Sequence, residues 1–251
     1  MVDPALRDAI AEAAAATGDE VLEVGAGIGT LTIALAARYR RVLAVEFDRD
    51  LIPALQEVVA DCGNVEVVQT DILGFDVNAA FPAGGEVVAG NIPYNLTGAL
   101  IPKLLNAAPR PRRLSLVVQK EVAERWAATT AASLATIAVQ VFADARIAMT
   151  IPAGAFTPSP KVDSALVILA VRDQPMVDVP DMDGFFRFVE SVFQFRRKQI
   201  GGTLARIAGT SSGEASTRLT ALGIDAERRP QTLSLPEWEA VYGAFNPSFG
   251  R

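Results

Sequence analysis

The chain has 251 residues, half of them hydrophobic and 21% charged, which supplies a large buried core and suits one large domain with a smaller companion. A single cysteine, Cys62, excludes an intrachain disulfide framework, and a sequence without histidine excludes the commonest zinc sites and any imidazole acid/base catalysis. The formal net charge of −6 runs against the basic footprint of a nucleic-acid binder, although the local field rather than the sum decides such binding.

Met1-Val2-Asp3-Pro4 opens without the basic and apolar regions of a signal peptide, and no apolar run nears the roughly 18 residues of a membrane span, so a cytoplasmic location is expected. Leu6, Ile10, Ala13 and Ala14 have helical spacing from Pro4 to about Ala16, ending at Gly18. Glu20 to Val24 reads as a short buried strand that runs into the glycine turn Gly25-Ala26-Gly27-Ile28-Gly29, with a helix from Thr30 to Ala37. A strand over Arg41–Glu46, a helix over Leu51–Ala60 and a strand over Val65–Gln69 repeat the alternation, which predicts a parallel sheet with helices on both faces. Glu86 to Ala89 is the fourth strand, Leu96 to Ala107 a helix, Leu114 to Gln119 the fifth strand and Lys120 to Ala127 a helix. The run Leu134 to Phe142 fits helix or strand by pattern and is assigned as helix, while Ala145–Thr150 and Ser164–Val171 read as two closing strands. This yields an α/β domain over residues 1–172, a two-proline linker over 173–180, and an all-helical domain over 181–251 with helices near 185–195, 199–208, 214–222 and 236–245.

Three strand ends carry chemistry. Glycines in Glu23-Val24-Gly25-Ala26-Gly27 let a ligand approach the backbone at a helix N-terminus. The second strand ends on Val45-Glu46, where a carboxylate can accept from ribose hydroxyls, and the third on Thr70-Asp71, where an acid can accept from the amine of an adenine. That set predicts a nucleoside-bearing cofactor without separating NAD from S-adenosylmethionine. Gly90-Asn91-Ile92-Pro93-Tyr94-Asn95, directly after the fourth strand, distinguishes them. The Asn91 amide oxygen and the Ile92 carbonyl can each accept an N–H from a planar amine while the Tyr94 ring stacks on the base, which suits methylation of an exocyclic amine without an ionisable base. The arginine clusters Arg38/Arg40/Arg41, Arg110/Arg112/Arg113, Arg196/Arg197/Lys198 and Arg228/Arg229 each read, taken singly, as a solvated face.

These motifs together resemble the ribosomal RNA adenine N6,N6-dimethyltransferase family, which methylates two adjacent adenosines near the 3′ end of small-subunit rRNA. The likeness spans nearly the whole chain. It adds Val118-Gln119-Lys120-Glu121-Val122-Ala123-Glu124-Arg125, Phe156-Thr157-Pro158-Ser159-Pro160-Lys161-Val162-Asp163-Ser164 and the C-terminal blocks at Phe195–Lys198 and Gly223–Ser234. The resemblance implies a Rossmann-like class I methyltransferase with a seven-stranded, mostly parallel sheet and a small helical domain that engages rRNA. It implies S-adenosylmethionine held by Glu23, Gly25, Ala26, Gly27, Glu46, Phe47, Asp71, Ile72 and Asn91, and catalysis by Asn91, Ile92, Pro93 and Tyr94, with Phe156 closing over the flipped adenine. It further implies RNA contacts by Arg112, Arg113, Lys120, Lys161, Arg196, Arg197 and Lys198 and a pre-30S-like particle as partner; a monomer is the default expectation, and no metal is expected in a chain without histidine. Two departures stand out: relatives carry a basic segment with a Gly-Gln-Asn/His-Phe-Leu element upstream of the position of Val2, and their Tyr-Gly-x-Leu-Ser element is reduced here to Thr129–Leu134. The expected activity is N6,N6-dimethylation of rRNA adenosines. The alternatives are a large-subunit rRNA adenine methyltransferase, a ribosome-assembly factor with secondary catalysis, and an NAD-dependent oxidoreductase.

Overall fold

The computed structural model describes residues 4–14, 20–84, 86–106, 108–128 and 133–245. The expected first-helix end at Ala16, Gly18, Ala107 and most of the 129–134 element lie outside them.

Seven strands form one sheet: β1 (Glu20–Val24), β2 (Arg41–Glu46), β3 (Val65–Gln69), β4 (Val87–Asn91), β5 (Arg113–Gln119), β6 (Ala143–Ile151) and β7 (Ser164–Val171), in the order β3-β2-β1-β4-β5-β7-β6. The first five pair in parallel, and β7 runs antiparallel between β5 and β6. β1 and β2 are buried along nearly their whole length, so apolar residues fill successive rather than alternate positions, with Glu23 and Glu46 as buried acids among them. The helices α1 (Pro4–Ala14) and α2 (Thr30–Ala36) bury Ile10, Leu31 and Leu35 in one cluster with Val87 and Ala89 of β4 and Leu166 and Ile168 of β7. α3 (Ile52–Val58) packs Leu55 against Ala26 and Ala44. α4 (Val77–Ala80), which the sequence pattern did not reveal because four residues carry no periodicity, is started by Asp76, whose carboxylate accepts from the Ala79 N–H at 3.0 Å. α5 (Thr97–Asn106) and α6 (Lys120–Ala127) complete this unit.

The second unit is helical: α7 (Leu134–Phe142), α8 (Met182–Phe193), α9 (Ile200–Ala208), α10 (Ser212–Ala221) and α11 (Leu235–Phe245). Its core is aromatic, with Phe142 stacked on Phe186 at 5.7 Å, Phe185 edge-on to Tyr242 at 5.4 Å and Phe193 stacked on Trp238 at 5.4 Å. One expected boundary changes: residues 128–142 group with 173–251, whereas 143–172 return to the sheet. α7 is apolar nearly all round, so its pattern shows that it is buried but not in which core. The expected linker is likewise tied down, with the Met176 N–H donating to the Val141 carbonyl at 2.8 Å. No helix among the described residues is long and apolar enough to cross a membrane.

Candidate active site

The chain lays β2 and β3 on one side of β1 and then crosses back to place β4 on the other, so the carboxyl ends of β1 and β4 open a crevice at the switch point of the sheet. The turn after β1 holds Gly25, Gly27 and Gly29 at φ of 72°, 60° and 83°, a left-handed region that a side chain disfavours. The Gly25 and Ala26 N–H groups donate to the Val45 carbonyl at 2.9 and 3.2 Å, docking the turn on the end of β2. Glu46 finishes that docking. One carboxylate oxygen accepts from the Gly27 N–H and the other from the Asp48 N–H, both at 2.8 Å, so a residue only 8% exposed clamps two loops with one lone pair from each oxygen. Beyond β3, Asp71 accepts from the Leu73 N–H through Oδ1 at 2.9 Å and is otherwise exposed.

Val24, Gly25, Glu46, Phe47, Asp71 and Ile72, with Asn91 and Pro93 opposite, line a cleft of about 440 Å³. Phe47 stands 71% exposed at its rim. Among the described residues no lysine or arginine lines this cleft, whereas two carboxylates do. Glu23, in β1 two residues before Gly25, is 1% exposed, with Oε2 lacking a hydrogen-bond partner. Burial pushes its carboxyl up to about 8, with Thr32 opposing and the Glu46 charge assisting. The folded protein therefore keeps a proton that the unfolded chain releases near 4.5, and stability falls as pH rises from about 4.5 to about 8, by at most about 1.4 kcal/mol per pH unit. Glu23→Gln, which mimics the protonated form, is expected to remove most of that slope in thermal melts between pH 5 and 8; parallel slopes would refute a buried proton at Glu23.

A second, smaller cavity of about 250 Å³ adjoins the first through Asn91 and Pro93 and is lined further by Ile92, Tyr94, Phe156, Pro158 and Pro160. Asn91 is the last residue of β4, level with Val117 of β5, and its side chain is exposed. The Ile92 N–H donates to the Val117 carbonyl at 3.0 Å, which carries the strand direction into the turn. The Leu96 N–H closes the turn on the Pro93 carbonyl at 2.8 Å, and the Thr97 hydroxyl donates to the Tyr94 carbonyl at 3.1 Å. Phe156 contributes to the cavity wall while its ring, 8% exposed, belongs to the main core cluster. It is thus both core and cavity wall.

The strand ends bring together Gly25, Glu46, Phe47, Asp71, Ile72, Asn91, Ile92, Pro93, Tyr94 and Phe156 around two joined cavities. Lys120 begins α6 at the same end of the sheet, its N–H bonded to the Asp163 carbonyl, and Lys161 is exposed on the loop before β7. Arg112 and Arg113 do not join them: Arg113 pairs with Val87 at the start of β4, four residues from Asn91 and so about 13 Å away along the strand. Consecutive position next to an active-site strand did not reveal which end of that strand the arginines occupy. Arg196, Arg197 and Lys198 are exposed between α8 and α9 in the helical unit. Among the described residues no group of His, Cys, Asp or Glu is placed to hold a metal ion. Pro158 and Pro160, which sequence reasoning did not assign to the site, line the smaller cavity from the block containing Phe156, and Thr70, Asn95 and Leu96 line the cleft beside assigned residues; that adjacency was the available signal.

A glycine turn clamped by a strand-end carboxylate and an Asn-Ile-Pro-Tyr turn at the switch point of a 3-2-1-4-5-7-6 sheet define an α/β methyltransferase. The family model for ribosomal RNA adenine dimethylase matches residues 1–240, and the chain belongs to that family. It is 38% identical over 266 residues to the ribosomal RNA small subunit methyltransferase A of Pelotomaculum thermopropionicum, covering 100% of this chain and 90% of the relative. The protein of the same name from Geobacillus thermodenitrificans is 36% identical over 99% of this chain and 89% of its own length. Among solved structures, the 23S rRNA methyltransferase ErmE superposes with a TM-score of 0.70 at 26% identity, covering 97% of this chain and 98% of that one. A dimethyladenosine transferase from Plasmodium falciparum superposes at 0.76 with 23% identity, covering 99% and 98%, and supports the fold.

Proposed function

We propose that this chain transfers methyl groups from S-adenosylmethionine to the N6 amines of adenosines in small-subunit rRNA, two per base. The observation that carries the choice of cofactor is the charge of the 440 Å³ cleft: Glu46 and Asp71 line it, and among the described residues no lysine or arginine does. Such a wall repels a pyrophosphate and favours a ligand bearing a sulfonium and an ammonium group, which argues against the NAD-dependent alternative. Glu46 has lone pairs left for ribose hydroxyls, Asp71 Oδ2 for an adenine amine, and Phe47 and Ile72 supply apolar faces for the ring. When bound, the cofactor supplies an electrophilic methyl group.

The chain's own residues do the rest. The Asn91 side-chain oxygen and the Ile92 carbonyl accept the two N–H groups of the target amine, turning its lone pair out of conjugation and toward the cleft. Tyr94 and Phe156 hold the base between two rings in the smaller cavity, which admits only an unpaired or flipped nucleotide. No carboxylate, lysine or arginine lines that cavity among the described residues, so the proton lost after transfer passes to water. Lys120 and Lys161, and in the helical unit Arg196, Arg197 and Lys198, would meet phosphates. The relatives at 36–38% identity bear the small-subunit name, against 26% for the large-subunit ErmE, which favours the small-subunit substrate within a bacterial cytoplasm. Incubating undermethylated small subunits with the protein and labelled cofactor should yield N6,N6-dimethyladenosine by mass spectrometry of the rRNA. Absence of label, or methyl groups on other atoms, would overturn this reading.

A further inference from the structure

The Tyr94 hydroxyl lies 2.9 Å from Ser164 Oγ, across 70 residues of sequence. Ser164 is 1% exposed and opens β7, where its backbone pairs on one side with Gln119 of β5 and on the other with Ile151 of β6. A hydroxyl held by two neighbouring strands is a fixed anchor, whereas Tyr94 itself sits in a turn. The preceding residue, Asp163, anchors the opposite wall. Its Oδ1 accepts from the Ala153 N–H at 3.0 Å, at the start of the short turn whose last bond runs from the Phe156 N–H to the Ala153 carbonyl at 3.3 Å. Its own carbonyl accepts from the Lys120 N–H at 3.0 Å, tying the segment to the end of β5. Two consecutive residues therefore hold the two aromatic walls of the smaller cavity, Tyr94 through Ser164 and Phe156 through Asp163.

We infer that Ser164 is a positioning residue that sets the place of the Tyr94 ring against Phe156, and thereby lets the cavity take back a monomethylated adenine for its second transfer. This rests on the N6-methylation reading above. The first transfer presents an amine with two N–H groups to two acceptors. The second presents only one N–H beside a new methyl group, so fewer hydrogen bonds orient the base and the ring walls carry more of its placement.

The test is the ratio of mono- to dimethyladenosine formed on undermethylated small subunits, read by mass spectrometry for wild type, Ser164→Ala, Tyr94→Phe and the double variant. Loss of the Ser164 hydroxyl should slow the second transfer about five-fold relative to the first, the size of one neutral hydrogen bond. Tyr94→Phe removes the same bond from its other end and should shift the ratio in the same direction. The double variant should be no worse than Tyr94→Phe alone, because both changes delete one interaction. Cofactor affinity by calorimetry should not change. A wild-type ratio in either single variant, or losses that add in the double, would overturn the role of Ser164, and Tyr94→Phe decides the point even if Ser164→Ala fails to fold. Wild-type protein that makes no N6-methyladenosine would instead withdraw the functional reading itself.

Discussion

Asn91→Ala is expected to lower methyl transfer by roughly a hundred- to a thousand-fold while cofactor affinity stays within a few-fold of wild type. Asn91 ends β4, is fixed by its register with Val117, and belongs to the lining of both cavities, the two that the proposed function assigns to cofactor and base. Removing it leaves the backbone carbonyl of Ile92 as the remaining acceptor of the pair assigned to the amine. The lone pair then stays conjugated with the ring, and the barrier rises although both ligands still fit. Glu46, Asp71 and the glycine turn are untouched, which is why binding should survive. Single-turnover rates on undermethylated small subunits, set beside calorimetric affinities, separate the two effects. A variant with wild-type turnover would remove Asn91 from the chemistry, and one that no longer binds S-adenosylmethionine would make it a cofactor residue.

Gly90→Ala is expected to destabilise the protein by about 3 kcal/mol, lowering the melting temperature by roughly 6 to 12 °C. A Cβ at Gly90 would lie 2.3 Å from the Val24 carbonyl oxygen and 3.2 Å from both the carbonyl carbon and the nitrogen of the same residue. The obstacle is backbone of the neighbouring central strand, which no rotamer change relieves. Relief would require β4 to move away from β1 at the point where the crevice opens, carrying Asn91 with it. Loss of methyl transfer should accompany the loss of stability. A variant that melts with wild type would mean that the two strands can part there without cost, and that the crevice is less rigid than the packing implies.

Much of this site was legible along the chain because its parts are local. Glycines at a strand-to-helix turn, an acid at each of the next two strand ends and Asn-Ile-Pro-Tyr after the fourth are short words whose meaning comes from their place in an alternating pattern. The alternation itself comes from backbone hydrogen bonding and side-chain period, which are properties of neighbouring residues. Phe156 was readable only through its resemblance to a family block, since a phenylalanine that is 8% exposed and packed in the main core carries no local mark of also facing a cavity.

By itself the sequence determined the type of nearly every element, the order of strands and helices, and the residue types offered at each strand end. What the tertiary structure alone decided is everything that depends on pairing across distance. Strand register put Arg112 and Arg113 at the far edge and Asn91 at the crevice. The packing of a nearly all-apolar helix placed α7 in the helical unit. Glu46 became a clamp on Gly27 as well as a candidate ribose acceptor, Gly90 became the space that lets β4 pass β1, and Ser164 became the anchor of Tyr94. Each of these is a contact between residues far apart in the chain, and a one-residue change of register would exchange the partners while leaving every local pattern intact.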